Sequence, residues 1–218
     1  MSQADGDGDS VRRHAVRWLA SVPVTLAFCA LLFVVYAAEL LVWTTLGVDA
    51  FAALFVADTD PSPGWLLAPL AHSPVDPLHL PVNLSLLVAF GGMTERRLSR
   101  RGYYWFLAVA GLASTAGQVA GAAIAASGGD ASGTLGASGI ALAATGFAVV
   151  ASARRWRVTG EWEGQTTWLW TAVGAVVLAR RLVLDIAVGV PNVGRYGHLW
   201  GALFGVTFAL LGWRTTVE

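Results

Sequence analysis

The sequence predicts an all-α membrane protein: a bundle of six transmembrane helices with both termini in the cytoplasm. Hydrophobic residues make up 56% of the 218 residues and charged residues only 13%, whereas a soluble domain has about 25% charged residues. The mean hydropathy is +0.60. Several apolar segments approach the roughly 20 residues needed to cross a bilayer. The formal net charge is zero, so the composition does not indicate nucleic-acid binding.

Six apolar segments define the predicted helices. The first and third are the longest, the second is short, the fourth opens with small residues, the fifth contains charges and the sixth is rich in glycine. In order, they cover about residues 22–46, 78–94, 103–126, 134–153, 166–188 and 196–213. We divide the chain into a polar cytoplasmic tail (1–20) and one membrane domain (21–218).

Arginine clusters orient these segments. They precede the first segment, separate the second from the third and the fourth from the fifth, and follow the sixth: Arg12, Arg13 and Arg17; Arg96, Arg97, Arg100 and Arg101; Arg154, Arg155 and Arg157; Arg214. The positive-inside rule makes this side cytoplasmic. The opposite loops carry Asp49, Asp58, Asp60, Asp76 and Asp130. One of them, residues 47–77, is long, apolar and rich in proline, so we expect it to lie in the membrane interface.

Polar residues cluster near one end of the predicted bundle. The second segment has His79 and Asn83 one turn apart, and the third has Ser114 and Gln118 at the same spacing. Ser138 begins the fourth segment and His198 begins the sixth. The second, fourth and sixth segments all run from outside to inside. His79, Asn83, Ser138 and His198 therefore fall within about two helical turns of the outer surface.

Small residues predict which helices meet. The sixth segment carries a close-packing face at four-residue spacing, formed by Gly197, Gly201 and Gly205, and the fourth segment offers Gly139 and Ala143. Contact between these faces would bring Ser138 and His198 within hydrogen-bonding distance. A serine–histidine pair is the minimum for nucleophilic acyl transfer. The Ser138 N–H, the Asn83 amide and the His79 ring are then candidate donors to an oxyanion.

Each of these features also has a purely structural interpretation. The Gly-Ala-Ser-Gly stretch is typical of helix packing, and His198 beside glycines is typical of an interhelical hydrogen bond. His79 and Asn83 are also compatible with satisfying the backbone around nearby prolines. Ionisable groups inside a membrane nevertheless indicate function, and these residues share one depth on three helices of one orientation. The combination favours an active site.

Four stretches together resemble the rhomboid family of intramembrane serine proteases, over about residues 22–213. They are HLPVNLSLLVAFGGMTER (79–96), with a His-x-x-x-Asn pair and a Gly-x-x-x-Glu ending; SxxxQ (114–118); GASG (136–139); and GHLWGALFG (197–205). Each motif is short, but their order and spacing together are specific.

The resemblance implies roles for these residues. Ser138 would be the nucleophile and His198 its base, a dyad without a carboxylate. Asn83, His79 and Gly136 would support the oxyanion. Ser114 and Gln118 would hold water near the site.

The resemblance also implies structural roles. Glu95 and Arg97 would tie down the cytoplasmic end of the second helix. Residues 187–195 would form a mobile cap, and the fifth helix would line the substrate gate. The sequence departs from the family at Leu142, where many members have an aromatic residue that packs on the histidine. It also departs at Trp65-Leu66 in the first loop, and at His72, which precedes His79 by seven residues.

Charged residues interrupt the fifth segment. Arg181 and Asp185 are four residues apart, so we expect a local ion pair. We do not expect Asp185 to be a third catalytic residue, because it would have to reach His198 from a helix that moves. Arg180 and Arg181 are compatible with snorkelling outward or lining the gate. No metal-binding spacing, phosphate loop or organic cofactor motif is present in the sequence.

The prediction is a serine endopeptidase in the cell membrane, with its active site open to the extracytoplasmic side. Its partners would be transmembrane protein substrates and the lipid bilayer, without nucleic acid, metal or cofactor. One alternative is a rhomboid-like pseudoprotease that binds transmembrane segments without cleavage. Another is a small-solute transporter or channel, although the polar residues lie only in the outer half of the bundle. The sequence does not specify the oligomeric state.

Overall fold

A computed structural model describes residues 16–126, 133–188 and 194–212. This part of the chain is all-α, as predicted. Its six long helices are numbered in chain order: α1 Pro23–Phe55; α2 His79–Leu86, continued by a π-helical turn (Leu87–Gly91) and by Gly92–Glu95; α3 Arg100–Ala125; α4 Ser138–Thr159; α5 Thr167–Val183, continued by a π-helical turn (Leu184–Val188); and α6 Arg195–Leu210. A one-turn helix, Gly64–Leu67, lies between α1 and α2.

Among the described residues, α1 and α3 are long and apolar enough to cross a membrane. Their most apolar stretches have mean hydropathies of 2.3 and 1.5. Large apolar side chains on both helices face outward, including Phe33, Val34 and Trp105. Such an apolar exterior is typical of a surface that contacts lipid. The count of six membrane spans and the cytoplasmic placement of the termini stay predictions.

Helix α1 extends beyond the predicted segment but bends where that segment ends. Gly47 has φ +87° and ψ 179° inside the 33-residue helix, a conformation that glycine adopts easily and other residues rarely do. The apolar segment 22–46 therefore matches the part before the bend. The part after it packs Phe51 and Phe55 against Ala71 of the loop between α1 and α2.

The fourth helix begins later than predicted. The prediction started it near residue 134, but the first helical residue is Ser138. Thr134 instead pairs with Ala57 in an isolated antiparallel bridge, and Gly136 has φ +132°. These residues are not helical because their backbone groups bond to the loop between α1 and α2 instead of to a helix. Ser138 therefore occupies the N-terminus of α4.

Helices α4 and α6 pack at backbone contact. A methyl group added at Gly201 would lie 2.2 Å from the Gly139 carbonyl oxygen, and one added at Gly205 would lie 1.9 Å from that of Ala143. The two faces therefore meet along the glycine positions identified in the sequence.

Polar side chains tie the C-terminal end of α2 to its neighbours. The Glu95 carboxylate accepts hydrogen bonds from the backbone N–H groups of Val24 and Thr25, at 2.9 and 2.7 Å, and from the Thr25 hydroxyl. Arg97 donates to Ser152 Oγ at 2.9 Å and forms an ion pair with Glu163. Both residues therefore join α2 to other elements, and their expected structural role is confirmed.

Candidate active site

Ser138 lies where an extended segment turns into α4. The Ala57–Thr134 pair closes with N···O distances of 2.9 and 2.7 Å, and the Gly136 N–H donates to the Ala68 carbonyl at 2.8 Å. These bonds anchor the segment on the loop between α1 and α2. Because Ser138 is the first residue of its helix, its N–H has no carbonyl partner within that helix. The Ser138 hydroxyl and this N–H therefore both lie at the start of α4.

His198 is hydrogen-bonded to Ser138. The Ser138 Oγ lies 2.8 Å from His198 Nε2, and His198 is buried. The close packing of α4 and α6 produces this distance: a methyl group at Gly139 would lie 3.3 Å from the Gly197 carbonyl oxygen. The backbones approach closely only because both positions lack a side chain.

The expectation that Asp185 does not reach His198 is wrong. Its Oδ2 lies 2.7 Å from His198 Nδ1, and Asp185 is only 2% exposed. Asp185 belongs to the π-helical turn that continues α5, and a π turn changes the direction in which successive side chains point. The expected ion pair with Arg181 is also present, at 3.9 Å, but it uses the other oxygen, Oδ1.

These contacts define the tautomer of the neutral imidazole. A carboxylate only accepts hydrogen bonds, so His198 Nδ1 carries the proton that is donated to Asp185. In the neutral ring, Nε2 then has a free lone pair and accepts the Ser138 hydroxyl. This is the tautomer that a base needs in order to take the serine proton.

His79 packs against the other side of the serine segment. Its Nδ1 accepts a hydrogen bond from the Ser73 N–H at 3.3 Å, so the neutral ring carries its proton on Nε2. A methyl group added at Gly136 would lie 3.1 Å from His79 Nε2 and 3.5 Å from Ser138 Oγ. The His79 N–H therefore faces the space beside the serine.

Asn83 follows His79 by one turn of α2 and is 2% exposed. Its Nδ2 has no hydrogen-bond partner among the residues that the structure describes. A buried amide without a partner costs stability, by about 1–3 kcal/mol. Such a group is suited to donate to an oxygen that a substrate brings.

Ser114 and Gln118 bond to the protein. Gln118 Oε1 accepts the Gly197 N–H at 2.9 Å, and Ser114 Oγ donates to the Gly111 carbonyl at 3.0 Å. A methyl group at Gly139 would lie 2.3 Å from Ser114 Oγ. The two side chains therefore join α3 to the starts of α4 and α6, close to both Ser138 and His198.

Glu39 was missed in the sequence, although it is the only charged residue in the first apolar segment. A lone carboxylate in such a segment by itself indicates a residue with a specific role. Its side chain is fully buried, and both oxygens accept the backbone N–H of His72 at 3.0 Å. Glu39 thus holds the loop between α1 and α2 onto the bundle.

His72 supports His79. The two rings meet edge to face with 5.1 Å between their centres, and His72 Nδ1 donates to the Leu70 carbonyl at 3.1 Å. Burial, assisted by the neighbouring His79, lowers the pKa of His72 to about 4. His72 is therefore neutral at physiological pH.

Most of the predicted cap, including residues 189–193, lies outside the described residues.

Comparison with known proteins identifies the family of this chain. The profile of the Rhomboid domain matches residues 64–215, which include α2 to α6 and the segment that leads into Ser138. A search of curated proteins finds no match. The matched region covers well over half of the chain, and we conclude that this membrane protein belongs to the rhomboid family.

Proposed function

We propose that this protein is an intramembrane serine endopeptidase that cleaves transmembrane segments of other membrane proteins. The observation that carries the proposal is the 2.8 Å hydrogen bond between Ser138 Oγ and His198 Nε2. It joins a half-buried hydroxyl at a helix N-terminus to a buried imidazole of the correct tautomer. Helix packing alone does not require this orientation of the ring.

The reaction proceeds in two halves. His198 Nε2 takes the Ser138 proton while Oγ forms a bond to the scissile carbonyl carbon. The tetrahedral intermediate then collapses: the C–N bond breaks, and Nε2–H gives its proton to the leaving amine. A water molecule attacks the acyl-enzyme with the same proton transfers and releases the carboxylic acid and free Ser138.

Three donors stabilise the negative oxygen of the intermediate. They are the Ser138 backbone N–H, the His79 Nε2–H and the Asn83 amide. The last has no hydrogen-bond partner among the described residues. Each such donor contributes about 10²–10³-fold to the rate.

The substrate must unwind locally, because a helix hides its carbonyl groups in its own hydrogen bonds. We place the active site near the extracytoplasmic surface of a multi-pass protein, since the arginine clusters orient the other ends of α2, α4 and α6 toward the cytoplasm. Cleavage is expected near that surface, at small residues followed by residues that weaken a helix.

The decisive experiment uses purified protein and a fluorescent transmembrane peptide. The wild type is expected to cleave the peptide and Ser138→Ala to lose cleavage entirely. Ser85→Ala is a matched control, because Ser85 is exposed on α2 and donates only to the Pro81 carbonyl. A fluorophosphonate should label the wild type and Ser85→Ala but not Ser138→Ala, and His198→Ala only weakly.

If the wild type and Ser138→Ala behave alike against several peptides, and neither is labelled, the protease proposal is wrong. Binding of the peptides without cleavage would then favour a rhomboid-like pseudoprotease.

A further inference from the structure

Asp185 is an ionisable residue buried in an apolar helix. Burial of a charged carboxylate is costly unless a partner compensates it. The shortest polar contact of Asp185 is to His198 Nδ1, at 2.7 Å. The Arg181 guanidinium is 3.9 Å from Oδ1, and Oδ1 has no hydrogen-bond partner in the described parts of the chain. The carboxylate is thus directed at the imidazole more closely than at the arginine.

Asp185, His198 and Ser138 form a continuous hydrogen-bonded chain across three helices. The carboxylate lies on the Nδ1 side of the ring and the hydroxyl on the Nε2 side. Rotation of the imidazole breaks both bonds, so together they define its plane and its tautomer. The carboxylate also lies next to the positive charge that the ring acquires when it takes the serine proton. It stabilises that charge most strongly where water is excluded.

We propose that Asp185 is a positioning residue for the proposed peptidase reaction and completes a Ser138–His198–Asp185 triad. This inference rests on the proposed function. Asp185 keeps the proton on Nδ1, holds the ring toward Ser138 and stabilises the imidazolium. It takes no proton itself, so the chemistry of bond formation and cleavage is unchanged.

The test variant is Asp185→Asn, which keeps the size of the side chain. An asparagine amide donates to Nδ1 and forces the proton onto Nε2, where it blocks acceptance of the Ser138 proton. The kcat for the peptide is expected to fall by about 10²-fold or more, with KM changed by less than about threefold. Asp185→Glu restores a carboxylate and is expected to recover at least about tenfold of that loss.

Two further measurements separate positioning from a merely structural role. Arg181→Gln removes the ion pair within α5 but leaves the His198 contact, and is expected to keep kcat within about threefold of the wild type. NMR of ¹⁵N-labelled histidine is expected to show the Nδ1–H tautomer for His198 in the wild type and the Nε2–H tautomer in Asp185→Asn.

The outcomes distinguish the two proposals. A wild type that neither cleaves nor is labelled overturns the proposed function and this inference with it. An active wild type with an equally active Asp185→Asn overturns only the role of Asp185. The role is also overturned if Arg181→Gln loses as much activity as Asp185→Asn, or if the His198 tautomer is the same in the wild type and Asp185→Asn.

Discussion

Leu142 follows Ser138 by one turn of α4 and is buried. The resemblance to the rhomboid family implies an aromatic residue there, packed on the histidine. In this chain the imidazole is held through both ring nitrogens, by Ser138 on one side and Asp185 on the other. Two directional hydrogen bonds are sufficient to define the plane of the ring, so its orientation does not depend on an aromatic neighbour at position 142.

Asn83 allows a test of whether a residue that serves the proposed reaction lowers the stability of the fold. Its buried Nδ2 has no partner in the described region, so replacement by an apolar residue of similar size removes an unsatisfied group. We expect Asn83→Leu to have a melting temperature equal to or above that of the wild type, while cleavage falls by about 10²–10³-fold. Thermal unfolding and peptide cleavage of the same preparation measure both effects.

A clear loss of thermal stability in Asn83→Leu would indicate instead that the amide supports the fold. Unchanged cleavage would remove Asn83 from the proposed set of oxyanion donors.

His72 gives the stability of the protein a defined dependence on pH. Its pKa in the fold, about 4, lies below the ordinary value of 6.5. The unfolded chain therefore binds a proton at His72 before the folded protein does as the pH falls. The contribution of His72 to the free energy of unfolding is complete above pH 6.5. On acidification toward pH 4, up to about 3 kcal/mol of this contribution is lost.

We therefore expect the melting temperature of His72→Asn to fall less than that of the wild type between these pH values. An asparagine can still donate to the Leu70 carbonyl, as His72 does, but it does not titrate. Parallel melting curves of the two proteins across this pH range would contradict the assignment.

Among the helices, α4 and α6 form the closest pair around the site. The Gly201 Cα faces the backbone of Gly139, the residue after the serine, with no room for a methyl group. A backbone atom cannot rotate away as a side chain can, so the helices themselves must separate. The same packing that holds α6 on α4 therefore sets the distance between Ser138 and His198.

Gly201→Ala is expected to lower both stability and activity. Overpacking at such a contact costs about 1–3 kcal/mol, and a displacement of about 1 Å between reacting groups reduces the rate by about 10²-fold. Gly164→Ala is the matched control, because a methyl group there lies 3.5 Å from Thr167 Oγ1, an ordinary contact. Melting curves and peptide cleavage compare the two variants.

If Gly201→Ala keeps both the melting temperature and the cleavage rate of the wild type, the close approach of α6 and α4 is not what aligns the site.

Over the whole molecule, the site combines elements that are far apart in the chain. Helix α2 supplies His79 and Asn83, α4 supplies Ser138, and α6 supplies His198. The π-helical end of α5 adds Asp185. The loop between α1 and α2 anchors the segment before the serine and is itself held by Glu39. Because each element contributes only one or two residues, each sequence motif is weak by itself, and only the combination of motifs is specific.

Much of the fold follows from the order of residues alone. Apolar length predicted the all-α class and the approximate positions of the helices, because the backbone of an apolar segment must satisfy its own hydrogen bonds. Glycines at four-residue spacing predicted the α4–α6 contact, because only small residues permit it. The shared orientation of three helices then indicated that Ser138 and His198 lie at the same depth.

The start of α4, the burial of Glu39 against His72 and the reach of Asp185 to His198 depend on contacts between distant segments. Residues 134–136 are not helical because Thr134 and Gly136 bond to Ala57 and Ala68, which local propensity does not reveal. Spacing within α5 identified Arg181 as the partner of Asp185, and that contact exists. The packing of α5 beside α6 directs the other oxygen of Asp185, Oδ2, at His198 Nδ1. Local pattern therefore determines which side chains can do chemistry, whereas the packing of the helices determines which of them meet.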